Sequence, residues 1–179
     1  RYERLGKPRI TAWYDLDLPE VIEVRRMLLP ESDNHYLGAS MFDEAWMNTV
    51  AAHGKPVLLV IEGVLMYFEE AQVQDFFKQV ARRLPHAQLA FDTIPKAYIG
   101  QSKRHDALGK MDKPPEFRWA ISGTDDIRRL IPGVEIIEEA GLSSVCKPRY
   151  PWLLRLVYAT AWGRHKLDMR LMRIQVPSS

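Results

Sequence analysis

"RITAWYDLDLPEV" (residues 9–21) is the stretch on which the reading of the whole chain turns. It begins with β-branched and aromatic residues, as a strand does, and it ends in two aspartates one residue apart followed by a leucine and a proline. Alternation along a strand puts Asp15 and Asp17 on the same face, with Asp17 nearer the tip. Pro19 suits the first turn of a helix, Glu20 suits its positive dipole end, and Arg25 and Arg26 arrive late, so "LPEVIEVRRMLLP" reads as the helix that follows. A strand that delivers carboxylates to its exit and then turns into a helix is the opening half of a βαβ unit.

The same alternation continues along the chain. "HYLGAS" reads as a short strand, and "DEAWMNTVAAHG" as a helix stopping near Gly54. "PVLLVIEG" reads as a buried strand, a continuous apolar run of the kind found in parallel sheets covered on both faces. "EEAQVQDFFKQVARRL" is amphipathic, with Val73, Phe76, Phe77, Val80 and Leu84 on its apolar face. "AQLAFDTI" is the next strand. "TDDIRRLI" reads as a short helix with Thr124 as its N-cap, "VEIIEEAG" as a strand, "PWLLRLVYATAWGRH" as a helix and "RLMRIQV" as a last strand. Residues 96–123 are polar, punctuated by glycine and proline and aromatic at their end, which suits an acceptor-side loop or cap over a site. The expected architecture is α/β, a single domain over residues 1–179 with a mostly parallel sheet.

Composition sets bounds on function. A formal charge of +2 with dispersed basic residues gives no reason to expect nucleic acid. The single cysteine, Cys146, cannot close an internal disulfide and fits a reducing, cytoplasmic setting. No apolar run reaches the roughly 20 residues that span a bilayer, and the best candidate, "PWLLRLVYATAW", is interrupted by Arg155, so no membrane partner is expected. His35, His53, His86 and His165 lack metal-ligand spacing with one another, so no metal site is expected.

Ligands of open parallel sheets bind at the carboxyl ends of the strands, and here those exits carry acids. Asp15 and Asp17 close the first strand, Asp43 follows the second, Glu62 closes the third and Asp92 lies near the end of the fourth. An ionised carboxylate only accepts hydrogen bonds, so Asp17 suits the two hydroxyls of a ribose; the bland alternative is a cap for the helix starting at Pro19. Glu62 ends a strongly apolar run and calls for a cationic partner, with Gly63 allowing close backbone approach; the alternative is a local cap for the helix near Glu69. In "GASMFDEAW", Ser40, Asp43 and the backbone at Met41 could read a base edge, while Asp43 also suits a helix N-cap.

Taken in order and spacing, "WYDLDLPEVIEVRR", "GASMFDEAW" and "GKPVLLVIEGVLMYFEEAQVQDFF" resemble the S-adenosylmethionine-dependent O-methyltransferases of the leucine carboxyl methyltransferase type, and among them the bacterial branch associated with polyketide O-methylation. The resemblance covers most of the chain and is densest between Trp13 and Phe77. It implies a Rossmann-like methyltransferase sheet with helices on both faces and a late antiparallel strand. It implies that Asp17, with Leu18 beside it, holds the cofactor ribose, that Ser40, Met41 and Asp43 flank the adenine, and that Glu62 and Gly63 lie near the methionine end. Related carboxyl methyltransferases carry an aspartate where Ser40 aligns, which shifts the expected adenine contacts to the Met41 backbone and the Asp43 carboxylate.

The family's first strand and glycine-rich cofactor loop have no counterpart in the sequence. "RYERLG" looks like the tail of that loop, with Arg1 as its arginine, so the chain is expected to be N-terminally incomplete. The implied reaction moves a methyl group from S-adenosylmethionine to an oxygen of a small-molecule acceptor. Tyr67, Tyr98 and Trp119 are candidates for the acceptor side, with plain packing the alternative for Tyr67 and Trp119, and His105 or Tyr98 are candidates for a base, with a solvated loop position the alternative for His105. Two other readings stay open at this point: a nicotinamide-dependent Rossmann oxidoreductase, which also places an acid on a ribose, and a binding protein that keeps the fold without turnover.

Overall fold

A computed structural model describes residues 2–6, 8, 10, 12–29, 33–101, 115–145 and 150–178. The described chain divides into two units, Arg1–Pro56 and Val57–Ser179.

The first unit is a βαβ core followed by a helix. β1 (Tyr14–Asp17) leads into α1 (Pro19–Leu28), which returns the chain to β2 (His35–Gly38) lying parallel to β1 in the register Asp15↔Tyr36 and Asp17↔Gly38. Pro19 occupies the first turn of α1 and Arg25 and Arg26 its last, as the dipole favours. Gly38 eases the packing: a Cβ there would come within 3.2 Å of the Pro19 Cα, so glycine lets β2 finish close against the start of α1 without a shift. α2 (Glu44–Ala51) follows and buries Trp46 and Met47.

The second unit is a four-stranded sheet in the order β3-β4-β6-β5. β3 (Leu58–Ile61) and β4 (Gln88–Thr93) are parallel, whereas β6 (Arg170–Gln175) runs antiparallel to β4 on one side and to β5 (Glu135–Gly141) on the other. The late antiparallel strand is therefore β6. α3 (Glu70–Arg83) opens with a capping box, Glu69 and Gln72 each accepting from the other's backbone. Its apolar face is the one the sequence specifies: Val73, Phe76, Phe77, Val80 and Leu84 are all buried, and the Phe77 ring meets Phe91 of β4 at 5.6 Å. Each such side chain contributes about 1.5–3 kcal/mol by leaving water.

Four expectations are corrected. β3 is not covered on both faces: Leu58 is 57% and Val60 41% exposed, alternating with the half-buried Leu59 and Ile61. Among the described residues β3 pairs only with β4, and the face it shares with Gln88 and Ala90 is not the one that carries Leu89 and Phe91 against α3. The helix expected over "PWLLRLVYATAWGRH" is two, α6 (Trp152–Ala159) and α7 (Ala161–Leu167), broken at Thr160, whose Oγ1 caps α7 by accepting the Gly163 N–H at 3.0 Å. Between β5 and α6 lies a short α5 (Leu142–Val145). α4 (Thr124–Leu130) is capped by Gly123 rather than Thr124, which stands inside its first turn. Finally, the aromatic end of the segment expected to form a loop is core: Phe117, Trp119, Ala120 and Ile121 are all buried.

Among the described residues no helix is long and apolar enough to cross a membrane.

Candidate cofactor site

In the first unit the site is built at the carboxyl edge of β1 and β2. Asp17 is the last residue of β1 and is exposed. One of its oxygens accepts the Leu18 N–H at 2.9 Å. The N-cap of α1 is Leu18, and no side chain caps that helix, so Asp17 does not serve as its cap. Among the described residues its second oxygen has no partner, and it points no donor at a ligand because a carboxylate has none to offer at neutral pH.

Asp15, two residues earlier, has a different fate. Its carboxylate pairs with Arg25 of α1 at 2.9 Å, accepts the Trp13 indole N–H at 3.0 Å and accepts from the buried Asn34 side chain. The guanidinium of Arg25 also lies over the Tyr36 ring, 5.3 Å from its centroid. The neighbouring Tyr36 side chain favours the Arg25 charge most strongly, against the opposing effect of burial, with Asp15 and Asp17 adding attraction. Asp15 thus ties β1, α1 and the turn before β2 together, and Asp17 is left facing outward.

The Ala39 N–H donates to the Asp17 carbonyl at 2.9 Å, so the chain leaving β2 starts beside Asp17. The loop through Ser40, Met41 and Asp43 then closes on itself. The Asp43 carboxylate accepts the Ser40 N–H at 3.0 Å, the Ser40 hydroxyl accepts the Phe42 N–H at 3.3 Å, and the Asp43 N–H donates to the Ser40 carbonyl at 3.1 Å. Asp43 stands at the N-cap position of α2, but its side chain reaches back to Ser40 instead of forward to the helix. The Trp46 indole donates to the Met41 carbonyl at 3.0 Å, pinning that peptide. Among the described residues the Met41 N–H has no acceptor. The edge therefore holds an outward carboxylate at Asp17, a second at Asp43 and an N–H at Met41, flanked by the half-buried side chains of Met41 and Phe42. Acceptors for a diol beside a donor and apolar surface for a flat ring are what a nucleoside requires.

In the second unit, considered by itself, β3 ends at Ile61 and the chain leaves through Glu62 and Gly63. Glu62 and Gly63 are exposed, and Gly63 has φ +66°, a left-handed conformation that suits glycine. The α3 cap is Glu69 with Gln72, so Glu62 does not cap that helix. The Gly63 N–H donates to Asp92 of β4 at 2.7 Å.

The acceptor-side candidates of this unit fare differently. Tyr67 is half-buried and stacks on Phe117 with ring centroids 5.6 Å apart. Burial, and then the negative charge of Asp92, push the Tyr67 phenol above its usual range, so it stays protonated at neutral pH. Tyr98 packs with Tyr67 and Met169 against the cluster of Met66, Ile94, Phe117 and Ala120, and its hydroxyl donates to the Leu167 carbonyl at 3.3 Å. Trp119 is buried beside Phe91. Arg1, His105 and Cys146 lie outside the described residues. Among the described residues no group of three or more His, Cys, Asp or Glu side chains is placed to hold a metal ion.

Sequence reasoning missed the division of labour between Asp15 and Asp17. The signal for it was present in Arg25, which an α-helix of this length brings back over β1. It also missed the bond between Gly63 and Asp92, which only the strand register creates.

Two comparisons give this geometry a setting. Among solved structures, a SAM-dependent methyltransferase from Anabaena variabilis aligns over 97% of this chain and 72% of its own, with a TM-score of 0.62 and 7% identity. Another, from Mesorhizobium loti, aligns over 97% of this chain and 85% of its own, with a TM-score of 0.56 and 13% identity. The fold is that of the S-adenosylmethionine-dependent methyltransferases. The structure of LepI in complex with SAM also aligns, over 98% of this chain and 38% of that one, with a TM-score of 0.56 and 11% identity. In sequence, the chain is 31% identical over 137 residues to the tetracenomycin polyketide synthesis O-methyltransferase TcmP of Streptomyces glaucescens. That match takes in 76% of this chain and 50% of TcmP, so the chain spans about half the length of the curated relative it matches. No protein-family model matches the chain.

Proposed function

We propose that this chain carries the cofactor-binding elements of an S-adenosylmethionine-dependent methyltransferase that methylates an oxygen, hydroxyl or carboxylate, of a small polyketide-type metabolite. The observation that carries the reading is Asp17: it stands at the exit of β1, does not cap α1 and faces outward with an unengaged oxygen. The methyltransferase fold, the similarity to TcmP and the resemblance to the leucine carboxyl methyltransferase type support the same assignment.

Bound S-adenosylmethionine supplies an electrophilic methyl group. The residues of this chain bind, orient and select. Asp17 accepts from the ribose hydroxyls. The Met41 N–H and the Asp43 carboxylate read the purine edge, and the Met41 and Phe42 side chains cover its face. Glu62 offers a negative charge to the ammonium of the methionine portion, directly or through water. Alignment of donor and acceptor oxygen then supplies much of the rate, since displacement at a methyl group demands an in-line approach. A carboxylate acceptor arrives ionised and needs no base, whereas a hydroxyl acceptor gains from one. Neither Tyr67 nor Tyr98 suits that role: Tyr67 holds its proton and Tyr98 spends its own on Leu167. On the acceptor side Tyr67 acts as a hydrogen-bond donor.

Calorimetric titration of the full-length protein with S-adenosylhomocysteine tests the reading. Saturable binding is expected, and Asp17→Ala weakens it by about 1–3 kcal/mol, the range for losing a hydrogen bond to a charged group. Titration with NAD in parallel separates this reading from an oxidoreductase: binding of NAD without binding of S-adenosylhomocysteine would reverse the assignment.

A further inference from the structure

β4 holds a carboxylate that the cofactor reading leaves unused. Asp92 is the next-to-last residue of the strand, where burial alternates, and it lies on the opposite face from the buried Leu89, Phe91 and Thr93. The parallel ladder between β3 and β4 ends at the pair Ile61↔Phe91. One residue beyond it, β3 has dissolved into a turn, and the Gly63 N–H lies past the last strand pairing. It donates to Asp92 Oδ1 at 2.7 Å, the short distance of a charge-assisted bond. Gly63 adopts φ +66° and is exposed, with nothing within 4 Å of where a Cβ would stand. A glycine turn so lightly packed has many conformations open to it, and ordering it is entropically costly. The bond to Asp92 selects one.

We infer that Asp92 is a positioning residue for the methyltransferase site: by holding the Gly63 N–H it fixes the peptide that joins Glu62 to Gly63 and so the direction in which Glu62 is presented. This rests on the methyltransferase reading, because Glu62 has its role only there. Burial and then the charge of Asp92 also oppose loss of the Tyr67 phenol proton. Asp92 acts through Gly63 and Glu62.

The test uses the full-length protein and S-adenosylhomocysteine as probe, with Asp92→Ala, Asp92→Ser and Asp92→Asn compared by calorimetry, by melting temperature and by hydrogen exchange of the peptide containing Gly63. Asparagine keeps an oxygen that accepts the Gly63 N–H, whereas alanine has none and serine is too short. Asp92→Ala and Asp92→Ser are expected to weaken binding about tenfold and to speed exchange at Gly63, while Asp92→Asn stays within about threefold of the parent. If alanine prevents folding, the serine variant carries the comparison. Two results overturn the inference. The first is a lowered melting temperature with unchanged affinity in Asp92→Ala or Asp92→Ser, which is a merely structural role. The second is an asparagine variant as weak as alanine, which assigns the effect to charge rather than to the held turn. Absence of binding by the parent protein removes the methyltransferase reading itself, and the inference with it.

Discussion

Asp15 and Arg25 form an ion pair at 2.9 Å that fastens the end of β1 to the last turn of α1. The pair is part of a larger knot, because the same carboxylate also takes the Trp13 indole and the Asn34 amide. Among the described residues Asp17 makes no ion pair or hydrogen bond with those partners and adds only a weaker attraction to Arg25. Two aspartates one residue apart therefore separate into a structural and an outward-facing group. Asp15→Ala leaves three donors without their acceptor and is expected to destabilise the fold by about 1–3 kcal/mol. Asp17→Ala is expected to leave stability within about 0.5 kcal/mol, as exposed substitutions do. Chemical denaturation of both variants reads the contrast; equal losses would mean that Asp17 also serves the fold.

Glu62 gives a second contrast, this time between affinity and folding. It is exposed and lies outside the capping box that starts α3. Glu62→Gln removes the charge and keeps the shape. Affinity for S-adenosylhomocysteine is expected to fall by about 1–3 kcal/mol, the range for losing a hydrogen bond to a charged group, with little change in melting temperature. A variant that melts early yet binds normally in its folded form would make Glu62 a structural residue.

How much of this was legible beforehand depended on whether the deciding contacts were local. α3 was readable because Val73, Phe76, Phe77, Val80 and Leu84 recur at helical spacing, and one face of a helix can be seen in its own sequence. Asp17 was readable because its strand, its turn and its helix are contiguous. The covering of β3 was not. An apolar run specifies a strand, but which of its faces is covered is set by elements elsewhere in the chain, and Leu58 and Val60 are exposed. Trp119 was open between core and acceptor side for a related reason: the polarity of the surrounding segment comes from other residues, and its aromatic end packs into the core. The bond between Gly63 and Asp92 joins residues 29 apart and exists only because β3 and β4 pair in parallel in one register.

Asp126 makes stability depend on pH in a predictable direction. Burial would raise its carboxyl, but the Ser122 N–H at 2.6 Å, Lys96 at 3.2 Å and Arg129 outweigh this and hold it below the ordinary carboxylate range. A group whose folded pKa is depressed stabilises the fold above its unfolded pKa, near 4, and loses that contribution as pH falls through the folded value. Asp126→Asn is expected to cost about 1–3 kcal/mol at pH 7, with the difference from the parent shrinking steadily below about pH 4. Denaturation curves at several pH values measure it; a difference that stayed constant into acid would mean that the charge of Asp126 contributes nothing.

Tyr67 supplies the sharpest test of how the acceptor is handled. Its phenol is half-buried on Phe117 and faces the charge of Asp92, both of which keep the proton in place. Above neutral pH an ordinary tyrosine begins to ionise only near pH 10, and this one does so later. It can give a hydrogen bond to an acceptor oxygen but cannot take a proton from it at the pH of turnover. Tyr67→Phe keeps the stacking and removes the donor. Once an acceptor is in hand, kcat/KM for it is expected to fall by about 0.5–1.5 kcal/mol, the net worth of a neutral hydrogen bond, with the pH profile keeping its shape. A profile that loses its basic limb in Tyr67→Phe would show the phenol titrating during turnover, and the donor role would give way to that of a base.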